Sequence, residues 1–347
     1  RSDDEGNGDC RLALAADGGG LTEGDTMASR KPPTGSNQDD LFNPEIELLL
    51  PARLAVDGKV LGSPVRQLAV PAKRVRCRLR PFAIRRVNGH ETTLESGEIL
   101  KIISAKTTTP LEADLILLVP GATEPERIAA ALELGEGRWM NVPPTSIDTL
   151  DCSARSERLK AVSASWIDAI HLREGRAAAD GQPAQPGLRR PQVGALHAAL
   201  AHATRSTDPA TIVMPTGTGK TETMLALNAN QRFERLLVVV PTDALREQIA
   251  SKFETFGVLK QQKCLDETAA FPLVMRLSHI PTSQAEVDEI FDSANVIVTT
   301  MQIAGRAEAP VQERMAARAS ALFIDEAHHI GARTWKSFRG LFAEHEP

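Results

Sequence analysis

Two segments of this sequence hold side chains whose types and spacing suit phosphate chemistry. The first, residues 214–221, reads Met-Pro-Thr-Gly-Thr-Gly-Lys-Thr and follows the β-branched run Thr-Ile-Val. Its glycines permit a tight turn that aims backbone N–H groups at phosphate oxygens, and a helix beginning at Lys220 would add its positive end. The pattern predicts a phosphate-binding loop, although Met214 stands where the general pattern begins with glycine. The alternative is a simple turn between a strand and a helix.

The loop predicts roles for its residues in a nucleotide site. Lys220 can reach the β- and γ-phosphates of ATP and is a catalytic candidate, and Thr221 can place its hydroxyl on Mg²⁺. The predicted ATP-binding residues of the loop are Pro215, Thr216, Gly217, Thr218, Gly219, Lys220 and Thr221.

The second segment, residues 321–328, is an apolar run that leads into two carboxylates and reads Ala-Leu-Phe-Ile-Asp-Glu-Ala-His. Asp325 would hold Mg²⁺ through water, and Glu326 would polarise the attacking water as a general base. An acidic helix cap would explain one carboxylate, but not its pairing with a phosphate loop. His328 and His329 do not indicate a metal site, because adjacent histidines project differently and no third ligand lies nearby. We expect a polar coupling role for His328.

Strands and helices that alternate along the second half of the chain would position these residues. Short apolar runs predict strands at 211–214, 236–240, 273–277, 296–300 and 321–324. Amphipathic runs predict helices at 191–203, 220–228, 243–256, 283–292 and 334–343. This alternation predicts an α/β fold with a mostly parallel sheet that has helices on both faces.

The first half has a different organisation. Residues 1–44 hold nine acidic and four basic side chains, with few large apolar residues, and are expected to be a disordered acidic tail. Residues 45–150 alternate in the manner of strands and predict a smaller β-rich domain of unknown role. Residues 151–187 predict a helix followed by a Pro/Gly linker, so that the α/β domain occupies 188–347.

Composition excludes several classes of protein. The longest apolar runs have strand length, so no membrane partner is expected. The four cysteines form no C-x-x-C pair, which argues against a zinc cluster and fits reduced thiols in the cytoplasm. The formal net charge of −5 equals the surplus of acids in the tail, and it gives no overall nucleic-acid signature.

One run of basic residues stands out in the β-rich region. Four arginines fall on every second position, so a single strand would place them all on one face; we call Arg74, Arg76, Arg78 and Arg80 the arginine row. Crowded like charges are costly without an anionic partner, so this face could bind phosphates. The alternative is a solvated strand face.

The two phosphate-chemistry segments and their surroundings resemble superfamily 2 helicases of the DEAD/DEAH kind, over residues 188–347. The Asp-Glu-Ala-His segment at 325–328 matches the family's box, and the histidine after it is similar to the restriction-enzyme and repair-type branch. Residues 188–192, Leu-Arg-Arg-Pro-Gln, resemble the adenine-reading element upstream of the phosphate loop. The resemblance implies that Arg189 and Gln192 contact ATP, and that the fold is RecA-like.

Two further segments resemble family elements that contact nucleic acid. Residues 240–248 begin Val-Pro-Thr and residues 298–302 read Val-Thr-Thr-Met-Gln. The resemblance implies that Pro241, Thr242, Thr299 and Thr300 bind the nucleic-acid backbone, and Thr242 is also a good helix N-cap. Capping alone is the alternative for Thr242.

The resemblance implies the ATP-binding half of a nucleic-acid-dependent ATPase, a helicase or translocase that uses ATP and Mg²⁺ and prefers DNA to RNA. Only 21 residues follow Glu326, so we expect the second RecA-like domain and its arginine finger to be missing and the chain to be nearly inactive alone. One alternative is the motor subunit of a restriction or defence enzyme that works with a nuclease partner. Another is a P-loop switch or AAA-type machine that acts on protein.

Overall fold

The computed structural model describes residues 44–178, 184–206, 208–326, 338 and 340–342. The expected acidic tail therefore lies outside the described residues, except for its last residue. Most of the helix predicted at 334–343 and the coupling candidate His328 also lie outside them.

Short strands dominate the first part of the described chain. Strand β1 (Ile46–Leu50) pairs antiparallel with β4 (Lys73–Cys77). A five-stranded sheet follows, in the order β5 (Arg80–Ile84), β6 (Val87–Thr93), β7 (Ile99–Ile103), β8 (Leu115–Leu118) and β9 (Arg138–Trp139). Helix α1 (Pro125–Glu133) contributes to the apolar core of this region, which includes Leu48, Leu100, Leu117, Ile128 and Leu132.

The second sheet has seven strands and combines both halves of the sequence. Its order is β10 (Thr145–Ser146), β2 (Arg53–Val60), β3 (Ser63–Val70), β12 (Val274–Arg276), β13 (Val296–Thr300), β11 (Leu236–Val240) and β14 (Ala321–Ile324). Strands β11 to β14 run parallel, as their largely apolar sequences predict. The β2–β3 hairpin pairs antiparallel with β12, so residues from the β-rich region extend this sheet.

Further helices follow α1 along the described part of the chain. They are α2 (Cys152–Ala164), α3 (Arg190–Ala203), α4 (Lys220–Gln231), α5 (Asp243–Thr255), α6 (Gln284–Phe291), α7 (Met301–Arg306) and α8 (Ala309–Arg318), with a 3₁₀ turn at Ile147–Thr149. Asp151 caps α2, Thr242 caps α5 and Ser283 caps α6, each accepting a hydrogen bond from a backbone N–H of the first turn.

Buried polar side chains attach the β2–β3 hairpin to the α/β part. Gln67 on β3 donates from Nε2 to the carbonyl of Phe271 at 2.7 Å and accepts at Oε1 from Arg158 Nε at 2.8 Å. Gln67 is 5% exposed, so both hydrogen bonds are shielded from water and hold the hairpin firmly.

The predicted α/β fold class is confirmed, and one predicted strand is wrong. Residues 211–215 form no strand in the structure, and Val213 is 89% exposed. β-branched residues favour extended backbone, but a strand also needs a neighbour with which to exchange hydrogen bonds, and none of the described strands pairs with this segment. The division of the chain at residues 150 and 187 stays a prediction.

Candidate nucleotide and nucleic-acid site

The parallel strands bring the candidate residues to one edge of the sheet. Ile324 pairs with Val239 on β11, and Val240 pairs with Thr300 on β13. Asp325 follows β14 at the same level, and its N–H donates to the carbonyl of Val239 at 3.0 Å. The carboxyl ends of β14, β11 and β13 thus lie side by side, which is where open α/β sheets bind ligands.

The phosphate loop has the backbone shape that its glycines predict. Gly217 and Gly219 have φ angles of 80° and 93°, a region that other residues rarely adopt, and α4 begins directly after them at Lys220. Among the described residues, the N–H groups of Gly217 and Gly219 donate no hydrogen bond. These groups suit phosphate oxygens.

Two side chains at the start of α3 donate hydrogen bonds to backbone carbonyls of the phosphate loop. Arg189 donates from Nη1 to the carbonyl of Gly217 at 2.6 Å, and Gln192 donates from Nε2 to the carbonyl of Gly219 at 3.2 Å. A trans peptide points its C=O and N–H in opposite directions, so the N–H of Lys220 points away from Gln192. The loop's donors are therefore oriented before any anion arrives.

Gln192 uses both ends of its amide within the protein. Its Oε1 accepts from the N–H of Arg189 at 2.7 Å, its Nε2 binds the carbonyl of Gly219, and the residue is 5% exposed. The family resemblance implies that Gln192 and Arg189 bind ATP, and that role stays a prediction. In the structure both residues contact the loop, a role that the sequence did not reveal.

A charge pair joins the two segments of phosphate chemistry. Lys220 Nζ lies 2.5 Å from Glu326 Oε1, although the two residues are 106 positions apart. The pair is partly open to water, with 33% of the lysine side chain and 25% of the glutamate side chain exposed. The predicted catalytic lysine and general base are thus in direct contact.

Glu326 has an unusual backbone. Its φ angle is 51°, which is left-handed and rare for a residue with a side chain of this size. Asp325 Oδ1 accepts a hydrogen bond from the N–H of Glu326 at 3.0 Å, which supports this turn after β14. Strain of this kind concentrates at functional sites.

Asp325 is largely shielded from water. It is 9% exposed, and burial raises the pKa of its carboxyl above the ordinary value of 3.8. The N–H of Glu326 and the ammonium of Lys220 oppose that rise in pKa, while the carboxylate of Glu326 adds to it. A buried carboxylate at raised pKa favours a nearby cation.

The residues at this edge fit Mg²⁺ and ATP. Within the described part of the chain, the N–H groups of Gly217 and Gly219 are free for phosphate oxygens. Thr221, on the first turn of α4, and Asp325 offer the oxygen atoms that Mg²⁺ prefers. No cluster of three or more His, Cys, Asp or Glu side chains suited to a metal ion occurs among the described residues. Any ion here would thus depend on nucleotide oxygens and water as well as on protein.

The predicted nucleic-acid contacts differ in exposure. Thr242 is exposed and its Oγ1 accepts from the N–H of Leu245 at 3.3 Å, while Pro241 is half-buried. Thr299 and Thr300 are 0% and 4% exposed, and Thr299 Oγ1 has no hydrogen-bond partner among the described residues. Thr242 alone of the three threonines presents its side chain to solvent.

The arginine row alternates in burial as predicted but does not lie on a single strand. Arg74 and Arg76 are on β4, whereas Arg80 begins β5 in another sheet. Arg74 pairs with Glu133 and lies 3.6 Å from Glu47. The row is therefore partly neutralised.

Residues 185–345 match the profile of the family described as type III restriction enzyme, res subunit. This segment is a superfamily 2 helicase-type P-loop domain. No curated protein matches the chain significantly. The match supports a helicase-like ATPase motor of the restriction or repair type. Within the described residues, every helix is too short or too polar to span a bilayer.

Proposed function

We propose that this chain binds Mg·ATP at the carboxyl edge of its parallel sheet, as part of a motor in which hydrolysis drives movement along DNA or its opening. The contact between Lys220 and Glu326 carries the proposal, because it joins the phosphate loop to the acidic box beside Asp325. The family match adds that this domain type is a helicase-like motor.

Each residue has a defined task in this reading. The backbone donors of the loop and Lys220 would hold the phosphates, and Thr221 and Asp325 would hold a metal ion, which would supply positive charge beside the phosphates. Glu326 orients the attacking water and accepts its proton, once nucleotide phosphates draw Lys220 away from it. His328, which follows in the box, would couple this event to nucleic acid.

The nucleic acid would pass along the same edge of the sheet, beyond the nucleotide. Thr242 exposes the N-terminus of α5, and the backbone there can donate to a phosphate. Pro241, Thr299 and Thr300 would complete the contact through their backbone or after a rearrangement, because the two threonine side chains are buried. We propose DNA rather than RNA, and cytoplasmic action, which fits the free thiols of Cys77, Cys152 and Cys264.

A second candidate is the motor subunit of a restriction or defence enzyme, in which translocation serves a nuclease partner. The description of the matching family favours it. Co-purification of the protein from its source should then recover a nuclease. A motor that cleaves no DNA in any purified complex would contradict this candidate function.

Binding measurements test the main proposal. We expect the chain to bind ATP in a Mg²⁺-dependent manner, to lose this binding on Lys220→Ala, and to bind a DNA oligonucleotide independently of that substitution. Titration calorimetry and fluorescence anisotropy measure the two. If ATP binding is unaffected by Lys220→Ala, or if no DNA binding occurs at low salt, the proposal is wrong.

A further inference from the structure

The β2–β3 hairpin ends at the same edge of the sheet as the candidate site. Strand β2 runs parallel to β12, so the turn after it, Leu61–Gly62, lies at the carboxyl edge. Extending the pairing registers of these strands by up to three residues places one row across five strands, made of Asp325, Val240, Thr300, Ser278 and Gly62. Neighbouring strands are about 4.8 Å apart, so the hairpin lies about 10 Å beyond Thr300.

Hydrogen bonds hold the hairpin in this row. Ser63 is fully buried, and its Oγ accepts from the N–H of Ser278 at 3.1 Å and lies 3.1 Å from His279 Nδ1. His279 Nε2 is shielded from water and has no hydrogen-bond partner among the described residues. The junction is thus rigid and polar, and it continues the carboxyl edge outward from Thr300.

The hairpin turn exposes one cation and one apolar side chain. Lys59 is exposed and forms no ion pair among the described residues. Leu61 is 39% exposed, and Ile280, on the other side of the junction, is 38% exposed. Nearby acids are already engaged: Asp57 pairs with Arg66 at 3.2 Å, and Glu286 accepts from Thr282.

The backbone conformation of the turn is energetically unfavourable for leucine. Leu61 and Gly62 both have positive φ angles, 49° and 82°, which suits the Asn-Gly pair that two-residue hairpin turns favour. A branched apolar residue at the first of these positions is strained, and strained residues concentrate where a ligand is held. The strained backbone therefore indicates a role for the Leu61 side chain in holding a ligand.

We propose that the hairpin turn, through Lys59 and Leu61 and with Ser278 beside it, forms the outer end of the nucleic-acid contact surface. Lys59 contacts a backbone phosphate, and Leu61 packs against a base of a single strand or a separated duplex end. This inference rests on the proposed function, since it extends the same row of contacts from Thr300.

Two substitutions test the inference without disturbing the hairpin. Lys59→Gln should flatten the log–log salt dependence of single-stranded DNA binding by about 0.7, the value for one phosphate. Leu61→Asn suits the left-handed backbone. It should weaken single-strand binding about fivefold, because Leu61 is already partly buried and only the rest of its side chain can be buried against a base. Lys160→Gln, on the exposed face of α2, is the matched control and should change neither quantity.

The outcomes separate this inference from the proposed function. Anisotropy across 50–200 mM salt gives the slopes, ATP titration shows that the nucleotide site is intact, and thermal unfolding shows that the variants fold. If the wild type binds single-stranded DNA and both variants keep its salt slope and affinity, the hairpin has no role in binding, but the proposed function still stands. If the Lys59 and Leu61 variants bind DNA as the wild type does but no longer bind a protein partner, the turn docks protein instead of DNA. Wild type that binds no DNA would overturn the inference together with the function.

Discussion

The pair between Lys220 and Glu326 makes a prediction that separates binding from catalysis. Glu326→Gln removes the negative charge opposite Lys220 and leaves the side chain's size almost unchanged. Partly exposed ion pairs contribute about 0.2–1 kcal/mol, so releasing the lysine should tighten Mg·ATP binding by up to about fivefold. Any ATP hydrolysis that the protein shows should stop, because glutamine cannot accept the proton of the attacking water.

Lys220→Ala should act in the opposite direction. It removes a charged hydrogen-bond donor to the phosphates, a contact worth about 1.5–3 kcal/mol, or about 10–150-fold in affinity. Titration with a slowly hydrolysed ATP analogue measures both variants. The gain in Glu326→Gln should shrink at higher salt, where the original pair is already weakened by screening.

A matched control uses a pair of similar exposure far from the nucleotide. Asp288 on α6 and Arg314 on α8 lie 2.8 Å apart with 34% and 38% of their side chains exposed. Asp288→Asn should leave ATP affinity unchanged. If Glu326→Gln weakens binding as much as Lys220→Ala does, then Glu326 is a structural or metal-binding residue and the reasoning fails.

Three further predictions follow from single contacts. Gln192→Ala should weaken nucleotide binding and lower the free energy of unfolding by about 1–3 kcal/mol, because the carbonyl of Gly219 loses a buried donor; ATP titration and denaturation measure this. Burial lowers the pKa of His90 below its ordinary 6.5, so the unfolded chain binds the proton more readily and stability should fall as pH drops below about 6.5; denaturation at pH 7.5 and 5.5 should show less of this loss in His90→Gln. Replacing the arginine row with glutamine should lower the salt slope of DNA binding by less than the 3–4 expected for four phosphates at about 0.9 each, since Arg74 is already paired, and an unchanged slope would make the row a solvated face.

Local patterns were sufficient for much of the α/β part. The strands at 236–240, 296–300 and 321–324 are confirmed in their bounds, because short runs of apolar and β-branched residues are typical of strands in a sheet covered on both faces. The cap at Thr242 also follows from its own residue type. Local hydrogen-bonding chemistry decides such features.

Features that depend on distant partners could not be predicted in the same way. The contact of Ser63 with Ser278 spans 215 positions, and nothing in either local sequence indicates the other. The prediction of a strand at 211–214 was wrong for a related reason, because a strand also requires a neighbouring strand with which to exchange hydrogen bonds. The helices α7 and α8 were missed because short amphipathic runs near 301 and 309 carry a weak periodic signal.

The geometry of the site implies that nucleotide binding must reorganise charge before chemistry can begin. Lys220 neutralises Glu326, and it also lowers the free-energy cost of keeping the buried carboxyl of Asp325 ionised. When phosphates attract Lys220, both carboxylates lose that compensation, and a divalent cation at Asp325 becomes correspondingly more favourable. ATP without Mg²⁺ would leave the two acids uncompensated, so metal and nucleotide should bind with positive coupling.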